Sequence, residues 1–152
     1  MKIARILTVA LMLVAVIVPL GSCESIASPL EDFNWVCYQY GNPTNFTIPI
    51  AGTQLSARFN SKTKMVTGSG GINDFSANYT LERLTVSLGT MQVTTLGGDA
   101  EILKRENAYF NFLKKVDRFE MERGQLILFA GENRAYFKQT DVPLKTVTHW
   151  GE

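Results

Sequence analysis

Histidine occurs once in this chain, at position 149, and cysteine twice, at positions 23 and 37. One histidine without ligand-type residues at fixed spacing around it excludes a recognisable zinc motif. A sole histidine close to the end of the sequence is also a poor general base. Two cysteines exclude a disulfide framework, and if Cys23 is used for something else no intrachain bridge remains. Excess charge of either sign is missing too: 15 basic and 14 acidic side chains give a net charge of +1. That balance offers no clustered basic face for nucleic acid. Internal repeats and low-complexity tracts are absent, and 152 residues set one domain as the default. The longest apolar run, Ile6 to Leu20, falls short of the roughly 20 residues that a membrane-spanning helix needs.

That run is instead the right length for the core of a signal peptide, with Lys2 and Arg5 as its positive start. It ends in Leu20-Gly21-Ser22-Cys23. Small residues directly before a cysteine read as a bacterial lipobox, so residues 1–22 are expected to be a lipoprotein signal peptide and Cys23 the lipidated new N-terminus. Several acyl chains on one residue anchor stably where one is marginal. An ordinary secretory signal with an incidental cysteine is the alternative. Cys37, in Phe33-Asn34-Trp35-Val36-Cys37-Tyr38, reads as a small buried hydrophobe, since no local base or cation would activate it.

Residues 23–32 are polar with one proline and read as a tether. The domain is expected over 33–139, with a tail at 140–152. Strand signals dominate it: Phe33–Tyr40, Thr53–Phe59, Lys64–Thr67, Asn78–Leu81, Leu84–Leu88, Met91–Thr95, Arg118–Glu122, Gln125–Phe129 and Arg134–Lys138. Residues 41–49 read as a loop, and Leu144–Trp150 as an edge strand or a surface segment. One helix interrupts the strands. Asp99 can cap its first turn, and Ile102, Leu103, Tyr109, Phe110, Leu113 and Val116 form one apolar stripe between Ala100 and Val116. Strands, one helix, then more strands predict a mostly β fold: a small antiparallel, barrel-like sheet, cracked or strongly curved, with one helix packed on it.

The segment Thr67-Gly68-Ser69-Gly70-Gly71-Ile72-Asn73-Asp74 holds three glycines in four residues. A phosphate loop would need a Lys-Ser or Lys-Thr after the last glycine and a helix beyond it; neither follows. The structural reading is that Gly68, Gly70 and Gly71 permit positive φ or a close backbone approach, while Asn73 satisfies turn groups through its side chain.

This stretch, Gly68 to Tyr79, resembles the META-domain (HslJ-like) pattern of a glycine-rich turn followed by an aromatic. Trp35 matches the family's early tryptophan, and Leu88–Thr94 its segment before the helix. Glu106, Tyr109 and Leu113 match its helix pattern, and Gln125–Leu128 its late strand. The resemblance spans about Phe33 to Gln139. It implies a barrel-like β fold with one helix and an envelope location, but no reaction. Relatives often carry cysteines where Ile72 and Gly98 stand here, so any thiol chemistry among them does not transfer.

The expectation for function is therefore a membrane-anchored, exported lipoprotein of the cell envelope. It is expected to be monomeric, without cofactor, metal or catalytic residues, in a stress-related or protein-binding role with an envelope protein as partner. Binding of a lipid or other apolar ligand inside the barrel is a second reading. Inhibition of a periplasmic or extracellular enzyme is a third, with the Gly68–Asp74 turn as the exposed loop entering a cleft.

Overall fold

The computed structural model describes residues 28–144; the expected signal segment, Cys23, His149 and all but the first residue of the expected edge strand lie outside them. Ten strands and one helix follow in order: β1 (Asn34–Asn42), β2 (Asn45–Thr47), β3 (Leu55–Asn60), β4 (Met65–Ser69), β5 (Asp74–Glu82), β6 (Thr85–Leu88), β7 (Gln92–Val93), α1 (Ala100–Leu113), β8 (Arg118–Glu122), β9 (Gln125–Ala130) and β10 (Asn133–Thr140). Eight of the strands close into an antiparallel barrel in the order β1, β3, β4, β5, β6, β8, β9, β10, with β10 pairing back onto β1. β2 pairs with the end of β1, and β7 with the start of β5. The thinnest seam is β6–β8, where only Thr85 and Arg118 are in register. Two further backbone bonds support it, from Val86 to Asp117 and from Phe119 to Leu84, at 3.2 and 2.9 Å.

Alternation along the strands sorts the residues. Leu126 and Leu128 of β9 are fully buried inside the ring, whereas Phe129 lies on the outer face beneath the guanidinium groups of Arg118 and Arg134. Trp35, Phe59, Val66, Phe75, Val86, Phe119 and Phe137 meet the two leucines in the core, each at 0–1% exposure. Full burial of one such side chain is worth about 1.5–3 kcal/mol, so the ring holds itself around a filled interior.

Each end of the barrel has its own lid. At one end α1 lies over the last residues of β1, the start of β3 and the β4–β5 turn. Its Tyr109 donates to the Ser56 carbonyl at 3.2 Å, and Tyr40 donates to the Arg105 carbonyl at 2.7 Å. Asp99 caps the helix as the sequence implied, its Oδ1 accepting from Glu101 and Ile102 at 2.9 and 3.1 Å. At the other end residues 28–32, read from the sequence as the end of a tether, pack onto the barrel. Leu30 is fully buried, its carbonyl accepts the Trp35 indole N–H at 2.9 Å, and Asp32 N–H reaches the Phe59 carbonyl at 2.7 Å.

Several boundaries differ from the expectation. The helix stops at Leu113, with Lys114 as its C-cap, rather than running to Val116. Residues 41–49 contain strand β2, because Asn42 and Asn45 pair across Pro43-Thr44 in a tight hairpin. β5 begins at Asp74, four residues before Asn78, where that strand was expected to start.

Candidate functional site

Two places combine polar chemistry with accessible or buried geometry: the glycine turn under α1, and a groove between α1 and β2.

In the turn, Gly68, Gly70 and Gly71 serve different ends. Only Gly71 has positive φ, at 116°. A Cβ at Gly68 would collide with the Ser56 carbonyl of β3, lying 2.7 Å from its carbon, and one at Gly70 would lie 2.5 Å from Glu106 Cγ and against the Phe110 ring. Gly68 thus lets β3 and β4 meet, and Gly70 lets the helix settle on the turn. Asn73 is 5% exposed and Glu106 2%. The Glu106 carboxylate accepts from Ile72 N–H at 2.9 Å, Asn73 N–H at 2.6 Å and the Asn73 side-chain amide at 2.7 Å. Asn73 Oδ1 in turn accepts from Leu96 N–H at 2.6 Å and the Thr94 hydroxyl at 3.0 Å. Glu106 was legible as part of a helix pattern, yet its partner, 33 residues back in sequence, was not. Burial pushes the neighbouring Asp74 carboxyl above its ordinary range; a Ser69 hydrogen bond opposes this and the Glu106 charge adds to it.

Chemically this network is a clamp: every acceptor position of the carboxylate that the turn reaches is used to hold the turn. It also corrects the third functional reading. Ser69, Gly70, Asn73 and Asp74 are buried beneath α1, so the turn is not an exposed loop able to enter an enzyme cleft. Ile72 is half-buried and packs against Gly98, where an added Cβ would press on the isoleucine side chain. The two positions that carry cysteine in relatives are neighbours here, filled by an isoleucine–glycine pair.

The groove has a volume of about 470 Å³ and is lined by Tyr40, Phe46, Thr47, Ile48, Glu101, Lys104, Arg105 and Ala108. Its lining mixes the aromatic and apolar side chains of Tyr40, Phe46, Ile48 and Ala108 with the charged Glu101, Lys104 and Arg105. Arg105 bridges the two walls: its Nε sits 3.1 Å from Glu101 on the helix, and its guanidinium donates to the Ile48 carbonyl at 2.8 Å. Ile48 is 65% exposed. Burial pushes the Tyr40 phenol up to about 12, so it is a neutral hydroxyl at physiological pH. The sequence did not reveal this groove, because residues 41–49 read as a loop and β2, one of its walls, was not expected.

Cys37 lies inside the barrel at 2% exposure, and burial raises its thiol well above the ordinary range, which keeps it protonated and inert. Among the described residues no group of three or more His, Cys, Asp or Glu is placed to hold a metal ion.

Comparison with known proteins follows the same lines. The family model of the META domain matches residues 28–141, beginning where the packed segment begins. No curated protein sequence matches. An NMR structure of a protein from Burkholderia xenovorans superposes with a TM-score of 0.66 at 20% identity, over 80% of this chain and 97% of that one. The crystal structure of a DUF4847 family protein from Bacteroides vulgatus does so with a TM-score of 0.53 at 12% identity, over 75% and 96%. At these identities the solved structures speak for the fold alone. With the glycine turn, the helix that clamps it and the closed ring all accounted for, the chain belongs to the META domain family.

Proposed function

We propose that this META-domain protein is an exported envelope lipoprotein, held to a membrane through Cys23, that acts by binding a protein partner rather than by catalysis. Its role would be of the stress-related kind that the family resemblance implies. The observation that carries the binding reading is the contrast between the two accessible volumes a barrel can offer. The ring interior is occupied by side chains such as Trp35, Phe59, Phe75 and Phe137, all fully buried. This counts against an apolar ligand inside. The groove between β2 and α1 is open and lined by aromatic, apolar and charged side chains together, a combination by which surfaces select extended peptide segments.

A photo-crosslinking side chain placed at Ile48 in the full chain, in its own membrane, tests this. A protein adduct that forms at Ile48 and not at Glu132 is the expected result. Adducts of equal yield at both positions, or none at Ile48, would overturn the groove as the binding site. Separately, Cys23→Ala should abolish acyl labelling and release the protein from membranes; acylation that persists elsewhere refutes the anchor.

A further inference from the structure

The alternating directions of the strands place the turns β3–β4, β5–β6 and β8–β9 at one end of the barrel, and α1 with the turns β4–β5 and β9–β10 at the other. Residues 28–32 join the first end. Asp32 Oδ1 accepts from Ser61 N–H at 3.1 Å, and Glu31 accepts from Lys64 at 2.6 Å. The chain therefore leaves the barrel toward its N-terminus at this end, locked by Leu30.

Four residues lie between Cys23 and Ser28, so five Cα-to-Cα steps join the two. At full extension they reach about 18 Å. Six large apolar side chains are exposed in the described domain, and four of them sit at this end: Phe33, Met65, Leu84 and Val142. Each of the three turns here also carries an exposed cation, Lys62, Arg83 and Arg123. The β4–β5 and β9–β10 turns at the opposite end carry no cation, and Glu132 occupies the latter; the lysines of that end, Lys104, Lys114 and Lys115, lie on α1 and its C-terminal turn instead. The acids nearby are Glu31, Asp32, Glu82, Glu122 and Asp141. Of these, Glu31 is buried against Lys64 and Asp32 is held by Ser61, Glu82 and Glu122 end strands behind the turn tips, and Asp141 is exposed beside Val142.

We infer that this end of the barrel rests on the phospholipid surface, with Phe33, Met65, Leu84 and Val142 entering the headgroup layer and Lys62, Arg83 and Arg123 among the phosphates. The inference rests on the lipid anchor proposed above and adds an orientation to it. Exposed apolar tips flanked by cations suit the interfacial layer, where the apolar part is buried and the charge stays wet. The groove then points away from the membrane. Tyr40 in its lining lies six residues along β1 from Asn34, about 20 Å along the strand and, with the usual tilt of barrel strands, about 15 Å along the barrel axis.

Single cysteines replacing Met65, Leu84 or Glu132 in the full lipidated chain would carry a nitroxide label; Cys37 is buried and does not compete. The protein is reconstituted into vesicles of phosphatidylethanolamine and phosphatidylglycerol, and label relaxation by dissolved oxygen and by a water-soluble nickel chelate is compared. A several-fold higher oxygen-to-nickel ratio at 65 and 84 than at 132 is expected. Equal ratios at the three sites, in protein whose mass shows acylated Cys23, overturn the orientation and leave the anchor standing. Protein whose mass shows no acyl group overturns both.

Discussion

Replacement of Glu106 by glutamine isolates the clamp between helix and glycine turn with almost no change of shape. The carboxylate receives three hydrogen bonds, from Ile72 N–H, Asn73 N–H and the Asn73 side-chain amide. The glutamine oxygen can still take the two backbone donors, but its NH2 group then faces the Asn73 NH2. Asn73 cannot turn over to relieve this. Its Oδ1 is held by Leu96 N–H and the Thr94 hydroxyl, and its Nδ2 donates to the Leu96 carbonyl at 3.2 Å. The variant loses one charge-assisted bond and gains a buried donor–donor contact, together about 2–3 kcal/mol. Alanine strips all three donors of their acceptor and leaves a void, at about 4 kcal/mol. For a domain of this size the glutamine change corresponds to a fall in Tm of roughly 8–12 °C. Thermal unfolding of the full chain in detergent micelles, followed by near-ultraviolet circular dichroism, measures it. Glu101→Gln, on the exposed side of the same helix, is the control and should cost under about 1 kcal/mol. A Glu106→Gln midpoint within roughly a degree of the parent would refute the reasoning, because the clamp would then hold without its charge.

Glycine substitutions should rank by what the new Cβ meets. Gly68→Ala forces the β3 backbone to move and is expected to cost more than about 3 kcal/mol, Gly70→Ala somewhat less because the Phe110 ring can shift, and Gly52→Ala, at φ 84° with nothing nearby, only about 1 kcal/mol; urea midpoints in any other order contradict the packing account. For Glu31, burial alone would raise the carboxyl, but the bonds from Lys64 and Tyr79 outweigh it and the net displacement is downward. A depressed folded value means that the stabilisation is fully present above the ordinary carboxylate range and is lost as pH falls through the folded value. Lys64→Met should therefore lower Tm at pH 7, by an amount worth about 1 kcal/mol given the half-exposed lysine, and the difference should fade below about pH 4; a gap that persists in acid would refute the assignment. Finally, Ile72→Cys with Gly98→Cys should form a disulfide on mild oxidation and stabilise the fold by about 3 kcal/mol from loop closure, whereas two free thiols by mass would place the residues farther apart than described.

Much of the fold was legible in the residues. Gln125–Phe129 read as a strand, but both of its faces are buried, so alternation alone did not say which side chains enter the ring; the run of short strands around one amphipathic, Asp-capped helix is compatible with few architectures. The helix stripe at Tyr109, Phe110 and Leu113 marked the buried face correctly, because a 3.6-residue period is a local property. The site was less legible. Glu106 looked like any helical acid, since nothing in its own neighbourhood reveals that Asn73 will arrive beside it. Residues 41–49, rich in Asn, Pro and Thr, carried turn signals strong enough to hide the three residues of β2, so the groove that β2 forms with α1 was invisible. Leu30 lay in a polar stretch that reads as linker, and only Trp35 closing over it shows that it belongs to the domain.

The sequence by itself determined the class of the fold and the cap and face of the helix, because these depend on local backbone groups and on the periodic partition of side chains between water and core. Only the tertiary structure decided that β10 closes on β1, that Gly68 makes room for β3 and Gly70 for the helix, that Glu106 finds Asn73, and that the barrel has one end with exposed apolar tips and one end bearing a groove. Those features join residues tens of positions apart, and which distant surfaces meet is set by the packing of the whole ring, which no local pattern encodes.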